Sequence, residues 1–326
     1  MQANLPGSAF APALAFVLTF ALLRLLLLPA TQRWFLDHPN PRSLHATPTP
    51  RTGGLAIVSG AVAGLFWIGG AGLFAIPALG LLLLSVLDDW RTLPASVRLL
   101  GHLIAAFGFV YVAFPTLSIP VLLLLGIGVS WMTNLYNFMD GADGLAGGMA
   151  LFGFAFYALA AWVGGQPLFA LLSLCIVAAS AAFLLFNFPP ARIFMGDGGS
   201  IPLGFLAAAL GLVGWRDGLW PLWFPLVVFA PFIVDATVTL ARRIMRGEAV
   251  WQAHRSHYYQ RIILTGWSHR RTALAEYALM AGGGCLACLA LNAVAPVRAV
   301  LLAGLAGVYA FAMLSIDRRS SAQAKA

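Results

Sequence analysis

Lysine is almost missing from this sequence: of 326 residues only Lys325 is one, so any group that grips a phosphate here must be arginine. Charge of either sign is scarce. Charged residues make up 9% of the chain and hydrophobic residues 61%, whereas an ordinary soluble domain is about 25% charged. So little polar surface cannot cover so large an apolar interior, which excludes a water-soluble globule and makes the bilayer part of the solvent. Cysteine is sparse too, at three residues. Cys285 and Cys288 form a C-x-x-C inside an apolar run with no second pair, which reads as packing rather than metal or redox chemistry. The N-terminus lacks a basic n-region and its apolar run is too long for an h-region, so no cleaved signal peptide is expected. No repeat of solenoid period stands out, and the one biased stretch is the polar tail 318–326.

What the sequence does have is long apolar runs. A crossing needs about 20 apolar residues, and eleven segments qualify: 9–30, 54–71, 72–87, 98–114, 118–133, 145–163, 167–186, 201–214, 220–240, 273–292 and 296–315. They are too long for barrel strands. The expected fold is therefore all-α, a polytopic membrane bundle of about eleven transmembrane helices forming one domain over 1–326. Segments 72–87 and 201–214 are short enough to be tilted or interfacial. The net charge is +8, and with the N-terminus outside, every basic residue but Arg24, Arg216 and Arg298 falls on the inner side. The positive-inside rule then sets the N-terminus outside and the C-terminus, with its tail, in the cytoplasm. Arg24, inside the first run, is expected to snorkel or face the bundle.

The acids share this geography. Asp88, Asp89, Asp140, Asp143 and Asp197 fall at cytoplasmic helix mouths in three loops separated by two crossings each, so they can converge. Carboxylates at that depth are costly unless paired or bound to a cation. Asp88 and Asp89 are adjacent and repel unless a cation is near; one helix cap would need only one of them. Asn134, Asn137, Asp140 and Asp143 recur every third residue, which on a helical segment makes one polar stripe. Asp197 stands among glycines before a new helix, where bare backbone and a helix N-terminus suit a phosphate or metal. The loop is neither a Walker loop nor GxGxxG.

The longest polar loop carries Arg242, Arg243, Arg246, then His254-Arg255-Ser-His257-Tyr258-Tyr259. Arginine gives bidentate phosphate contacts; headgroup anchoring would explain Arg242 and Arg243 but not the histidines. An earlier loop, His45-Ala-Thr-Pro-Thr-Pro-Arg51-Thr-Gly-Gly, is a weak signal alone. Together, acids able to hold Mg²⁺ and arginines for phosphate, at a face reachable by both a lipid and a soluble molecule, describe phosphoryl transfer from a soluble diphosphate onto a lipid. A secondary transporter would place its polar groups near the midplane. A CDP-alcohol phosphatidyltransferase would need further aspartates soon after Asp143, where Gly147 and Gly148 stand. A non-catalytic scaffold would not need the acids.

Five ordered motifs, HATPTPRTGG, LDDW, NLYNFMDGADGLAGG, PARIFMGDGGS and HRSHYYQR, spread over about residues 38–272, resemble those of the polyprenyl-phosphate N-acetylhexosamine-1-phosphate transferases, in particular bacterial members that initiate O-antigen or related surface polysaccharides. The resemblance implies a multi-pass enzyme of the bacterial inner membrane that moves an N-acetylated sugar 1-phosphate from a UDP-sugar to undecaprenyl phosphate, releasing UMP. It implies Mg²⁺, or Mn²⁺ in its place, on Asp197; catalytic Asp88 and Asp89 beside the metal and lipid phosphate, with Asp88 a candidate base; and donor binding by Asn134, Asn137, Asp140, Asp143, His45 and Arg51. Phe194 would lie against uracil, and His254, Arg255 and His257 would meet the donor diphosphate or sugar. The partners are membrane lipid and these substrates, not nucleic acid, with a homodimer left open. Tyr258 and Tyr259 stand where many relatives carry histidine, which bears on the sugar: N-acetylglucosamine, N-acetylgalactosamine, N-acetylfucosamine, N-acetylquinovosamine and a diamino sugar all stay open.

Overall fold

A computed structural model describes residues 5–31, 35–39, 44, 47–69, 71–249 and 254–323. In chain order the elements are α1 (Leu5–Ser8), α2 (Ala11–Leu26), β1 (Leu36–Asp37), β2 (Thr49–Pro50), α3 (Gly53–Ile68), α4 (Gly72–Arg91), α5 (Ala95–Ala113), α6 (Ile119–Phe138), α7 (Leu145–Val163), α8 (Pro167–Asn187), α9 (Asp197–Arg216), α10 (Trp223–Val228), α11 (Ala230–Met245), α12 (Tyr258–Leu264), α13 (His269–Leu291) and α14 (Ala295–Gln323). β1 and β2 form a two-residue antiparallel ribbon, Leu36 opposite Pro50; the rest of the described architecture is helical.

Every apolar run becomes helix. Eight helices, α4 to α9, α13 and α14, are long and apolar enough to cross a membrane, and α2 and α3 are shorter apolar helices of 16 residues. The two short segments lengthen: the hydrogen-bonded helix outruns the hydropathy, so α4 takes Asp88 and Asp89 into its last turn and α9 starts at Asp197. The segment 220–240 is not one helix. It breaks at Phe229 into α10 and α11, because Pro231 has no N–H to offer the Val227 carbonyl. Arg24 lies exposed in the last turn of α2, and the polar stretch after 317 continues α14 to Gln323 rather than leaving it as a tail.

The central element is α9, buried from Gly198 through Gly214 apart from Ala208, against α3, α4 and α6. Its glycines and alanines admit close neighbours, as small residues do in membrane bundles: a Cβ on Gly204 would meet the Met132 carbonyl of α6 at 2.8 Å. The outermost element is α14, which buries only Leu305 and Tyr309. Charge is sorted to the two ends. At one end Arg216 pairs with Asp217 and donates to the Ala113 carbonyl at the end of α5. At the other meet the end of α4, the start of α5, the end of α6, the start of α9 and the ends of α11 and α14.

Candidate active site

The site begins with a long-range splice. Phe194 N–H donates to the Pro50 carbonyl (2.7 Å), Gly53 N–H to Phe194 (2.9 Å) and Gly54 N–H to Met195 (2.8 Å). This lays residues 50–54 beside 194–195 and brings the N-termini of α3 and α9 together. Both helix dipoles then present positive ends to one place, which favours an anion. Gly54 and Gly199 are needed for the approach: a Cβ on Gly54 would lie 2.1 Å from the Gly199 nitrogen. Gly196 holds φ +66° with the Arg51 carbonyl close by, a conformation suited to glycine.

A cavity of about 240 Å³ opens at this splice. Arg51, Asn137, Asp140, Asp143, Phe194 and Asp197 line it, together with Asp37, Asn187, Gln260 and His269. Asp197 accepts from Asn137 Nδ2 at 2.8 Å, and the same amide reaches Ser200 Oγ at 3.0 Å. Burial first, and the Asp197 charge second, push the Asp140 carboxyl well above the usual carboxylate range, with the nearby Gly196 N–H pulling it part of the way back. Asp140 and Asp197 both face this cavity, a donor set that could hold a cation, whose charge would offset the effect on Asp140. Asp143 is fixed from two sides, by the Ala191 N–H (3.0 Å) and by His269 Nδ1 (3.1 Å from its Oδ1). Asn187 ties the loops, accepting from Gly144 N–H and donating to the Ile193 carbonyl.

Asp88 and Asp89 reach this cavity through arginines. Arg51 lies 2.8 Å from Asp89. Arg98 lies 3.1 Å from Asp88 and 3.9 Å from Asp197, so one guanidinium spans both motifs. Asp88 also accepts the Leu93 N–H at 2.7 Å, past the end of α4, so it closes the turn at left-handed Thr92 as well as holding Arg98. The polar stripe is helical only in its first half. Asn134 and Asn137 are on α6, Asp140 and Asp143 in the loop after it, because α6 stops at Phe138. Asn134 points away from the cavity, to His102 on α5 at 3.3 Å and to the Ser130 carbonyl.

His254, Arg255 and His257 are not among the lining residues. Arg255 is exposed. His254 Nδ1 accepts the Ser256 N–H, and burial, His257 and Arg243 push its pKa down to about 4, which keeps it neutral. His257 is buried, 3.3 Å from Asp235 Oδ1, and stacks on Phe138. Asp235 also accepts the Tyr258 and Tyr259 N–H groups, and Tyr259 Oη donates to the Phe138 carbonyl. The two tyrosines therefore fasten α12 to the rest of the bundle. His45 lies outside the described residues. Arg98, Asp235, Gln260 and His269 join the site without any sequence motif that marks them as site residues. A lone Asp in the apolar run of α11 was the available signal for Asp235, since a carboxylate there needs partners.

Residues 71–214 match the model of glycosyl transferase family 4. A probable undecaprenyl-phosphate N-acetylglucosaminyl 1-phosphate transferase of Bacillus subtilis is 33% identical over 268 residues, which is 74% of this chain and 73% of that protein. A decaprenyl-phosphate N-acetylglucosaminephosphotransferase of Mycobacterium tuberculosis is 31% identical over 74% of this chain and 72% of its own. A phospho-N-acetylmuramoyl-pentapeptide-transferase of Geobacillus thermodenitrificans is 30% identical over 71% and 80%. These relatives, with the membrane-length helices, define a multi-pass membrane phosphoglycosyl transferase. The chain belongs to glycosyl transferase family 4, as a polyprenyl-phosphate N-acetylhexosamine-1-phosphate transferase.

Proposed function

We propose that this protein transfers N-acetylglucosamine 1-phosphate from UDP-N-acetylglucosamine to undecaprenyl phosphate at the cytoplasmic face of a bacterial inner membrane, releasing UMP and initiating a surface polysaccharide such as O-antigen. The observation that carries the reading is the convergence of Asp140, Asp197 and Arg51 on one cavity at two helix N-termini, with Arg98 bridging from Asp88 to Asp197. A second cavity supports a lipid acceptor. It measures about 350 Å³, is apolar, and runs between α6, α9 and α10–α11, lined by Leu124, Trp131, Leu135, Ala208, Leu226 and others. α6 and α9 also carry Asn137 and Asp197 at the catalytic end. The relatives named for N-acetylglucosamine suggest the sugar. The charge sorting supports eleven crossings, with α2 and α3 as short ones and α10–α11 as one kinked crossing, the N-terminus outside and the site cytoplasmic.

In this scheme Asp197 and Asp140 would hold Mg²⁺, or Mn²⁺. The donor set fits Mg²⁺, which takes one or two carboxylates and completes its shell with water and phosphate oxygens; among the described residues no cage of three His, Cys, Asp or Glu exists or is needed. When bound, the ion neutralises diphosphate charge and eases departure of UMP. Phe194 lies against the uracil, and Asn137, Asp143, Gln260 and His269 orient the donor. Asp89 and Asp88 aim Arg51 and Arg98 at the phosphates. An oxygen of the lipid phosphate attacks the β-phosphorus; the bond to UMP breaks as the new P–O bond forms. A phosphate monoester has its second pKa near ~6, so the nucleophile is already ionised at pH 7. Asp88, with its oxygens turned to Leu93 and Arg98, positions rather than deprotonates. Positioning and charge neutralisation do most of the work in such transfers.

The test is UMP release from purified protein in membranes with undecaprenyl phosphate, Mg²⁺ and a panel of UDP-N-acetyl sugars. Lipid-dependent, metal-dependent release with UDP-N-acetylglucosamine as best donor is expected. Preference for another sugar replaces the donor assignment, and release without the lipid overturns the acceptor assignment.

A further inference from the structure

Away from the catalytic cavity, and sharing none of its described lining residues, lies a second polar cavity of about 170 Å³ at the end of α11. Arg242, Arg243, Arg246 and Arg261 line it, with Ser256 and Tyr258. Two carboxylates meet these four guanidiniums: Asp317 at 2.8 Å from Arg242 and 2.6 Å from Arg261, and Glu248 at 3.1 Å from Arg243 and 3.8 Å from Arg246. The balance is positive. Arg243 has a side chain only 9% exposed, and its Nε has no partner among the described residues.

Tyr258 is also part of the wall of a larger cavity, about 380 Å³, between α11, α13 and α14. That space is mostly apolar, with Leu279, Val308, Phe311, Ala312 and Ile316 around it, and Asp235, Glu276 and Arg319 also reach its wall. An open apolar groove of this size leaves its walls without contact partners, and in a bilayer the molecule at hand to cover it is a lipid. The arginines sit where α11 ends and the apolar cavity runs along the helices, so the pair has the polarity of an anionic phospholipid: phosphate at one end, acyl chain along the other.

We propose that α11, α12 and α14 form a binding site for one anionic phospholipid, with its phosphate among Arg242, Arg246 and Arg261 and its chain in the cavity beside α14. The bound lipid braces α12 from behind. Tyr258 faces it, while Gln260, two residues on, lines the catalytic cavity. The inference does not rest on the transferase reading, because its primary readout is lipid retention.

The experiment is native mass spectrometry of the full chain, exchanged into a neutral detergent and titrated with phosphatidylglycerol or phosphatidylcholine. Arg246→Ala tests the head site; that side chain is 66% exposed and meets only Glu248 among the described ion pairs. Ala312→Phe fills the chain site independently. One phosphatidylglycerol should stay bound per chain and phosphatidylcholine should not. Arg246→Ala should weaken retention about fivefold, the effect of one arginine near an anionic surface, and Ala312→Phe should weaken it without disturbing the arginines. Equal retention of the two lipids, or retention unchanged in both variants, overturns the proposal. Protection of thermal stability by inorganic phosphate equal to that by phosphatidylglycerol would make it a free-anion site and overturn the lipid assignment. If undecaprenyl phosphate displaces the bound lipid and both variants raise its KM, the site belongs to the acceptor substrate, which also overturns it.

Discussion

At the scale of single residues, the site works by giving each carboxylate a different set of neighbours. Asp197 faces the cavity beside Asp140, whereas Asp88 is committed to the Leu93 N–H and Arg98. Asp197→Asn should therefore cost about 10²–10³ in kcat, the usual effect of losing one electrostatic contact to a transition state. Asp88→Asn should cost less, since an amide oxygen can still accept from Leu93. Equal losses at saturating Mg²⁺ would remove Asp197 from the metal. His254 yields a pH prediction. Its folded pKa, about 4, lies below the ordinary histidine value of 6.5, so its contribution to stability is full above pH 6.5 and is lost as pH falls toward 4. Thermal midpoints should fall with acidification across that window, and His254→Gln should flatten that part of the curve; parallel curves would show that another group titrates.

At the scale of elements, helices were legible and splices were not. Apolar runs of about 20 residues have one outcome in a bilayer, and each became helix. The ends were harder to read, because hydrogen bonding continues past the hydropathy at Asp88 and Asp197, and the kink at Phe229 depended on one missing N–H at Pro231. The motif around Arg51 looked weak because its partner lies about 145 residues away, at Phe194 and Met195, and no local pattern announces such a pairing. Arg98 was hidden likewise: only the short turn after α4 puts it between Asp88 and Asp197. The splice makes a sharp prediction. Gly54→Ala places a methyl group against the backbone of Gly198 and Gly199, and neither helix start can yield without moving Asp197. Overpacking of this kind typically costs about 1–3 kcal/mol, and here it should abolish most activity as well. Gly80→Ala, with nothing within 4 Å of the added Cβ, is the control and should leave UMP release unchanged and shift stability by no more than the few tenths to ~1 kcal/mol of helix propensity. A Gly54→Ala enzyme with full activity would mean the two helices can part without consequence for the site.

At the scale of the molecule, the sorting of charge is the feature that turns a bundle of helices into a one-sided enzyme. The ends of α5 and α9 that carry Ala113 and the Arg216–Asp217 pair meet at one face, while the other described arginine–carboxylate pairs and the candidate-site cavity lie at the other. A soluble nucleotide sugar can be used only from the compartment that face meets, so orientation in the membrane decides function. With arginines concentrated at the catalytic end, that end should be cytoplasmic. Thr116, exposed in the turn between α5 and α6, and Ala322, exposed near the end of α14, then lie on opposite sides. In intact spheroplasts a membrane-impermeant maleimide should label Thr116→Cys and leave Ala322→Cys untouched until the membrane is opened, with the parent chain reporting the background from Cys285 and Cys288. The reverse pattern would put the cavity on the outer face, away from nucleotide sugars, and the inner-face reaction could not stand. Labelling of both in intact spheroplasts would mean that the two positions share a side, and that the count of crossings between them, rather than the chemistry of the site, needs revision.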